Sequence, residues 1–366
     1  MHQPVDDREW DPERWARAIK SPHRAVFRVE VWADGVQQTE RAPYSQGSVT
    51  EDWVTAGPRW SLSLTPPASP AWRRWLAMQS VELRPYRGVK LNRTTTWWCP
   101  MGRYPVPPPP QGRPWSGAPI SAEDYWSWIS EGKWPLPIIS PGGRISDQIE
   151  WAIREAGLGD VDVRATSTAE REPVFIDKQR DEWIGSAARS ISAEVSLDRT
   201  GRPVVQDARR IGTPTTDLRG SVTSMVWTPE WAKVYNAVDV ESSASNVDVR
   251  VRVALTDPKH PASPWRLGSS VRPRWRVYGY SSPLITTQSQ AVSAGQRILE
   301  RVSAAATKWS YTAVPDPTRS GGDSAYAPTL SNGVQVVQLQ SIQTPLTLDG
   351  GPQQIDTVST NTGELE

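Results

Sequence analysis

The proline content constrains this chain more than any other feature of its sequence, because 34 of its 366 residues are proline. Proline interrupts the hydrogen bonds of an α-helix and of a central β-strand. At roughly twice the average frequency of about 5%, prolines divide the chain into short elements joined by extended segments. Only 37% of the residues are hydrophobic, and 20 Trp stand beside 2 Phe. We therefore expect thin cores in which large aromatic side chains supply much of the buried area.

The charge balance and the single cysteine exclude several classes of protein. The chain has 41 Lys and Arg against 40 Asp and Glu, so no global field attracts it to DNA or to an anionic membrane. No apolar run approaches the ~18 residues of a membrane helix, and the acidic start, residues 1–7, lacks the apolar core of a signal peptide. Cys99 stands alone, which excludes an intramolecular disulfide framework and a cysteine zinc site. We interpret it as a buried, inert thiol.

Alternation of apolar and polar residues predicts β-strands in two separate parts of the chain. Residues 25–32 alternate with a period of two, and residues 60–64 do so again. In the second part, residues 247–255 give the clearest half-buried strand. Residues 271–277 alternate as well, and Pro273 favours an edge position for that strand. The chain is therefore mainly β.

Between these two parts the apolar residues repeat at helical spacing. Residues 145–156 and 183–191 each carry one apolar stripe, which predicts two amphipathic helices. A β-hairpin follows at 193–205, with its turn at 198–201. Residues 145–198 hold 12 acidic and 6 basic side chains, so this segment is acidic. We predict a small α/β domain inserted between the two β units.

These patterns divide the chain into five predicted parts. They are an N-terminal arm (1–24), a first β unit with a Pro/Trp-rich loop at 105–137 (25–139), the small α/β domain (140–216), a second β unit with a helix at 290–306 (217–317), and a C-terminal extension whose one strand candidate is at 334–339 (318–366).

No motif in the sequence has the spacing and context that catalysis needs. His2, His23 and His260 lie far apart beside prolines, so they do not form a metal site. Ser130-Glu131-Gly132-Lys133 and Ser146-Asp147-Gln148 approach the signatures of penicillin-recognising acyl-transferases. Glycine and proline at the first of these disfavour the helix on which that chemistry depends, and the third signature of these enzymes is absent. We expect no enzymatic activity, no metal and no cofactor.

Two groups of residues are predicted to face a neighbouring molecule. They are Trp115, Trp126, Trp128 and Trp134 of the Pro/Trp-rich loop, and Arg250, Arg252, Arg272, Arg274 and Arg276 of the arginine-faced strands. The loop is either a rigid arm that grips a neighbour or a local cover on its own unit. The arginines, like the basic and aromatic segment 84–113, either contact nucleic acid or face solvent or an acidic neighbour. The tryptophans are core or interface residues, or else a platform for sugars.

The order of motifs along the chain resembles that of the phage tail hub family. In order, the motifs are the strand at 25–32, Gln46–Asp52, Trp60–Leu64, Trp97–Tyr104, the helix ending at Leu158, the helix at Asp181–Ile184, the turn at Asp198–Gly201, the strand Val234–Val240, and Ile285–Thr287 before the last helix. This order is similar to that of tail-tip or baseplate hub proteins of long-tailed phages, in particular phages of high-GC Gram-positive hosts. The resemblance covers roughly residues 20–315.

The resemblance implies an architecture and a structural role in the virion. The fold would be two tail-tube-type β-barrels separated by the small α/β domain, plus terminal arms. Three subunits would form a pseudo-hexameric ring that joins the sixfold tail tube to a threefold central fibre or spike and lines the DNA ejection channel. The implied location is the virion tail tip, after synthesis in the host cytoplasm.

The same resemblance implies a set of partners. They are the distal tail protein or tail tube, the tape-measure protein and the central fibre or spike, with transient contact to phage DNA in the lumen and no stable membrane insertion. The alternative is a tail-fibre or distal-tail component that binds or hydrolyses glycans on its Trp-rich surfaces.

Overall fold

The mainly β character of the chain is confirmed by its structure. The computed structural model describes Trp15, Ile19 and residues 23–107, 118–132, 134, 138–176, 179–209, 212–229, 234–242, 248–260, 262–269, 271–282, 285, 287–303, 307–330 and 333–358. Strands account for 41% and helices for 17% of the described residues, so strand residues outnumber helical ones by more than two to one. None of the helices in these ranges is long and apolar enough to cross a membrane.

The regular elements are short, as the proline content predicts. The helices are α1 (Pro70–Leu76), α2 (Trp126–Glu131), α3 (Ile145–Arg154), α4 (Arg180–Ser190), α5 (Pro264–Leu267) and α6 (Gln288–Val302). The first twelve strands are β1 (Arg24–Ala33), β2 (Val36–Thr39), β3 (Gln46–Asp52), β4 (Trp60–Thr65), β5 (Val81–Lys90), β6 (Thr96–Pro100), β7 (Tyr104–Pro105), β8 (Ile120–Glu123), β9 (Ile138–Ile139), β10 (Gly143–Arg144), β11 (Asp162–Val163) and β12 (Glu170–Arg171). The remaining strands are β13 (Phe175–Ile176), β14 (Ala193–Leu197), β15 (Pro203–Asp207), β16 (Thr216–Asp217), β17 (Val222–Pro229), β18 (Ala237–Ser242), β19 (Arg250–Ala254), β20 (Val277–Ser282), β21 (Thr307–Ala313), β22 (Ser324–Pro328), β23 (Val334–Pro345) and β24 (Gln353–Thr357).

The chain forms two compact units. The larger unit contains Met1–Ser224 and Thr312–Ile355, and the smaller unit contains Met225–Tyr311 and Asp356–Glu366. The described residues include no closed barrel, so the two-barrel arrangement implied by the resemblance stays a prediction, as does the five-part division.

The first sheet of the larger unit has the strand order β2-β1-β5-β6, and β7 also pairs with β5. The predicted strand at 25–32 is confirmed as β1, which pairs antiparallel with β5 along all ten of its residues. Val29, Val31 and Leu83 are fully buried on one face of this pair. Gly88 of β5 allows the Trp98 ring to lie against the backbone, because a Cβ there would be 2.7 Å from the ring. Tryptophan therefore packs the sheet where glycine leaves room.

Residues near the C-terminus pair with strands near the N-terminus. The first half of β23 pairs with β22 and the second half with β3, which continues through β4 to β8. The sequence indicated one strand in this region, at 334–339, whereas the structure has three. Buried polar residues conceal the alternation: Gln353 is fully buried, and its Nε2 donates to Oγ1 of Thr344 at 2.8 Å. The buried side-chain amide is hydrogen-bonded, so it can occupy a core position that a search for alternating hydrophobic residues does not find.

The predicted helices and hairpin of the α/β segment are present in the larger unit. Helices α3 and α4 accompany a sheet of order β11-β15-β14. The apolar stripe of each helix is buried in one core together with the inner face of the hairpin. Ile149, Ile153, Ile184, Val195 and Val205 are fully buried there. Helical and two-residue periods therefore located this part correctly.

The smaller unit contains a sheet of order β19-β18-β20 with helix α6 in its core. Gly295 of α6 faces the sheet, since a Cβ there would lie 2.7 Å from Cγ2 of Val253. The predicted strand at 271–277 is wrong, because β20 begins only at Val277. Buried Asn236 explains the difference: its Nδ2 donates to the Arg274 carbonyl at 2.9 Å and its Oδ1 accepts from the Arg276 amide at 2.7 Å. These backbone groups therefore bond to a side chain instead of a strand.

Candidate interaction site

Two of the four predicted interface tryptophans pack inside the larger unit. Trp126 of α2 is 2% exposed and belongs to the core of the α/β segment. Trp134 stacks on Trp151 with ring centroids 5.3 Å apart, and the Arg180 guanidinium lies 4.4 Å from its ring centroid. Trp126 is thus buried and Trp134 half-buried, and whether either also contacts a neighbouring molecule stays a prediction. The described contacts of these two side chains are with the core of the chain's own larger unit.

Of the three predicted interface tryptophans that the structure describes, Trp128 is the exposed one. It is 43% exposed and contacts Tyr125 edge to face, at 4.7 Å between ring centroids. Both line a cleft of about 420 Å³ with Glu123 and Glu131. The hydroxyl of Tyr125 donates to Glu82, and burial raises the pKa of Tyr125. An aromatic ring beside carboxylates is a surface that suits hydroxyl-rich ligands. Trp115 lies outside the described residues.

The serine of the first acyl-transferase-like signature is bonded within its own helix. The Ser130 hydroxyl donates to the Ser127 carbonyl at 3.1 Å within α2, and Lys133 lies outside the described residues. Nδ1 of His260 accepts the backbone N–H of Ala262 at 3.1 Å, and His2 is not described. Across the described ranges, no group of three or more His, Cys, Asp and Glu side chains is placed to hold a metal ion.

The arginines of β19 are neutralised by acidic residues of their own sheet. Arg252 lies opposite Asp239 and Arg250 opposite Glu241 in the β18–β19 pair. Both nitrogen–oxygen distances between Arg252 and Asp239 are 2.6 Å, and the Arg250–Glu241 distance is 2.9 Å. The bonded guanidinium of Arg252 lowers the pKa of the Asp239 carboxyl. This strand therefore presents paired charges to solvent rather than a positive field.

The arginines after residue 270 lie on an irregular segment beside a tryptophan pair. Arg272 and Arg274 are exposed, and Arg276 lies over the Tyr235 ring at 5.7 Å. Trp275, 44% exposed, contacts Trp265 of α5, 38% exposed, with ring centroids 5.9 Å apart. The arginines were predicted as interface residues from the sequence, whereas Trp265 was not. The Ser263-Pro264 helix start, which places Trp265 in a one-turn helix, was the signal available.

Exposed apolar side chains also mark two ribbons of the larger unit. In the β22–β23 hairpin, Tyr326 lies opposite Val336, and they are 39% and 37% exposed. In the β9–β13 pair, Ile139 lies opposite Phe175, and they are 64% and 65% exposed. Clustered apolar residues in solvent are typical of surfaces that contact another protein.

The larger unit also contains a buried polar cluster. Arg59 pairs with Glu51 at 2.6 Å, and Ser320 donates to the same carboxylate oxygen at 2.8 Å. Arg199 lies beside Cys99, with Nη1 3.2 Å from the sulfur, and donates to the Pro317 carbonyl. The prediction that Cys99 is buried is confirmed, and burial raises the pKa of its thiol to about 11. The cluster joins strands of the larger unit to the 316–323 loop.

Comparison with known proteins shows similarity in structure and not in sequence. No protein-family model matches the chain, and no curated protein matches it. A tail protein from Neisseria meningitidis superposes with a TM-score of 0.57 at 12% identity, covering 91% of this chain and 96% of that one. The 43 kDa tail protein of prophage MuSo2 from Shewanella oneidensis gives a TM-score of 0.51 at 11% identity, covering 90% and 98%. The half-lidded Francisella PdpA–VgrG complex gives 0.51 at 7% identity, covering 96% of this chain and 61% of that one.

At these identities the similarity concerns the fold. The matched tail proteins are covered almost from end to end, and so is about nine-tenths of this chain. The chain has the fold of phage tail proteins.

Proposed function

We propose that this chain is a structural protein of a phage tail tip, the hub that joins the sixfold tail tube to a threefold central fibre or spike. The end-to-end similarity to the Neisseria tail protein carries this proposal, because 91% of this chain and 96% of that protein superpose. The chain is not an enzyme in this proposal and needs no cofactor.

The exposed apolar ribbons support the part of the proposal that concerns assembly. Phe175 and Ile139, each about two-thirds exposed, are unfavourable in solvent as an isolated pair. The exposed face of the β22–β23 hairpin adds a second apolar surface on the same unit. We propose that copies of the chain bury such surfaces in a homotrimer whose repeated units form a pseudo-hexameric ring. This ring contacts the distal tail protein or tail tube, the tape-measure protein and the fibre or spike, and it lines the DNA channel of the virion.

Native mass spectrometry tests the assembly. The purified chain should give a trimer, alone or after addition of a tail-tube protein from the same gene cluster. A Phe175→Ser variant, which removes the exposed ring, should shift the distribution to monomer, whereas Leu348→Ser at another exposed apolar residue should not. A chain that stays monomeric with every tail protein added would contradict the proposal.

A second candidate function follows from the cleft that Trp128 lines. Trp128, Glu123 and Glu131 together present a ring and two carboxylates, which is the composition of a carbohydrate subsite. Under this alternative the chain is a tail component that binds cell-surface glycans. Titration with soluble cell-wall oligosaccharides should then give binding that Trp128→Ala abolishes and Trp227→Ala, another exposed tryptophan, leaves intact. Absence of binding removes this candidate.

A further inference from the structure

A patch on the smaller unit combines exposed tryptophans with exposed arginines. We call Trp265, Trp275, Arg272 and Arg274 the tryptophan–arginine patch. Its two rings are 38% and 44% exposed, and both arginines are exposed. Tryptophan and arginine are the residue types most enriched where a few side chains dominate protein–protein binding. The composition of the patch therefore indicates an interface.

The backbone that carries the patch is held in place from inside the unit. Asn236, fully buried, bonds to the Arg274 carbonyl and to the Arg276 amide. The Arg274 amide donates to the Pro264 carbonyl at 2.8 Å, which ties the arginine segment to the helix that bears Trp265. Gly268 makes this approach possible, since a Cβ there would lie 2.3 Å from the Arg272 carbonyl oxygen. A fixed backbone lowers the entropy lost when a partner binds.

The described residues of the smaller unit do not neutralise the positive charge of the patch. Among the residues that the structure describes, Arg272 and Arg274 have no ion pair, whereas Arg250 and Arg252 of the same unit bond to Glu241 and Asp239. The sequence around the patch, residues 257–276, contains five Lys and Arg and one Asp. A partner that covers the patch must therefore bring negative charge.

The geometry of the tryptophan pair distinguishes a protein partner from a nucleic acid. Bases of a single strand stack in succession on aromatic faces, which requires faces that are parallel or side by side. Trp265 and Trp275 meet at an interplanar angle of 69°, so the edge of one ring occupies the face of the other. The angle between the two rings instead leaves a corner that an apolar side chain of a protein partner could fill.

We infer that the tryptophan–arginine patch is a docking site for an acidic protein segment, one that places carboxylates on Arg272 and Arg274 and an apolar side chain against Trp265 and Trp275. The inference holds for the smaller unit whether or not the chain is a tail hub, since it depends on the residues of the patch alone.

Fluorescence anisotropy with two labelled probes tests this inference on the full chain. The probes are a short peptide of alternating glutamate and leucine and a thymidine oligonucleotide of similar length and charge. Replacing both patch arginines (R272A/R274A) should weaken peptide binding by roughly tenfold or more, as loss of two charge-assisted contacts predicts. The matched control R250A/R252A removes the same charge from ion-paired positions and should change binding by less than about twofold. The W265A/W275A variant should weaken peptide binding as well.

Three results would overturn the inference. They are no binding of the peptide at low ionic strength, equal weakening by the patch and control arginine variants, and tighter binding of the oligonucleotide that depends on Trp265 and Trp275. The last result would assign the patch to single-stranded nucleic acid. Because all replaced side chains are exposed, circular dichroism should show each variant folded like the parent chain.

Discussion

Arg59 and Glu51 form an ion pair inside the larger unit, with Nη2 of Arg59 2.6 Å from Oε1 of Glu51 and only 6% and 3% of the two side chains exposed. The same guanidinium donates to the Gly321 carbonyl at 2.8 Å. The pair therefore connects β3 to the loop that precedes β22. An ion pair removed from water in this way is costly to break from one side, because the remaining charge stays buried.

Replacing Arg59 alone should destabilise the protein strongly. Arg59→Met leaves the Glu51 carboxylate buried without its cation and should lower the free energy of unfolding by about 3–5 kcal/mol. The double variant E51L/R59M should lose less than the single one, because no charge is then left unpaired. Denaturant unfolding measures both. Arg154→Met breaks the exposed pair with Glu150 and is the control, expected within about 0.5 kcal/mol. Equal losses for Arg59→Met and Arg154→Met would contradict the role of the buried pair.

The Asp124 carboxyl should give the stability a specific pH dependence. Burial raises its pKa from 3.8 to about 6, although backbone amides of Trp60, Trp126 and Arg59 bond to it. The folded state thus binds a proton more tightly than the unfolded state. The stabilisation that the Asp124 carboxyl contributes is therefore fully present below pH 3.8. It is lost as the pH rises to about 6, a loss on the order of 3 kcal/mol, and does not change further above that pH.

The Asp124→Asn substitution isolates the contribution of this carboxyl to stability. As the pH rises from about 4 to about 6, the parent chain should lose stability relative to the Asp124→Asn variant, which has no carboxyl to titrate at this position. Asp147→Asn at an exposed helix position should show no such change and serves as the control. A difference that is flat over this range would show that the carboxyl titrates normally.

Two helical glycines should respond oppositely to alanine. In α6 a Cβ on Gly295 would lie 2.7 Å from Cγ2 and 3.2 Å from Cβ of Val253, and a β-branched side chain cannot move aside easily. Gly295→Ala should therefore lower stability by about 1–3 kcal/mol despite a better helix propensity. In α4 the nearest atom to a Cβ on Gly185 is 3.5 Å away, so Gly185→Ala should raise stability by about 0.5–1 kcal/mol. Thermal unfolding of the two variants decides, and stabilisation by both would refute the close packing of α6.

Cys99 should be unreactive in the folded protein. Its thiol is buried, and the raised pKa of about 11 leaves very little thiolate at neutral pH. A disulfide-exchange reagent should modify the chain only after denaturant is added. Rapid stoichiometric labelling of the native protein would mean that the Cys99–Arg199 region opens. A Ser→Cys variant at exposed Ser121, modified at once, confirms that the reagent is active.

Local periodicity predicted those parts of the fold in which one face is apolar and the other polar. Helices α3 and α4, the β14–β15 hairpin and β1 all have this pattern, and the structure has them close to the expected residues. Near the C-terminus only the first half of β23 was predicted, and the remaining strand residues were not, because Gln338, Thr344 and Gln353 are buried and polar. Their burial depends on hydrogen bonds to residues distant in sequence, which no local pattern contains.

The interaction residues were harder to predict than the elements. Alternating arginines looked alike in the sequence, yet Arg252 faces Asp239 across the sheet while Arg272 has no described ion pair. That difference arises from strand pairing. Trp126 and Trp128 are two residues apart, and the turn of α2 buries the first and exposes the second. The composition of a segment indicates an interface, but register and helix orientation determine which side chains reach it.

The most direct test of the proposed tail role is to locate the chain in particles. Phage particles produced by cells that carry the gene should be labelled with a gold-conjugated antibody against the chain and imaged by electron microscopy. Our proposal predicts gold at the distal end of the tail, and cryo-electron microscopy of the same particles should show three copies there. Tails that assemble and eject DNA without the chain, or label confined to the capsid, would contradict it.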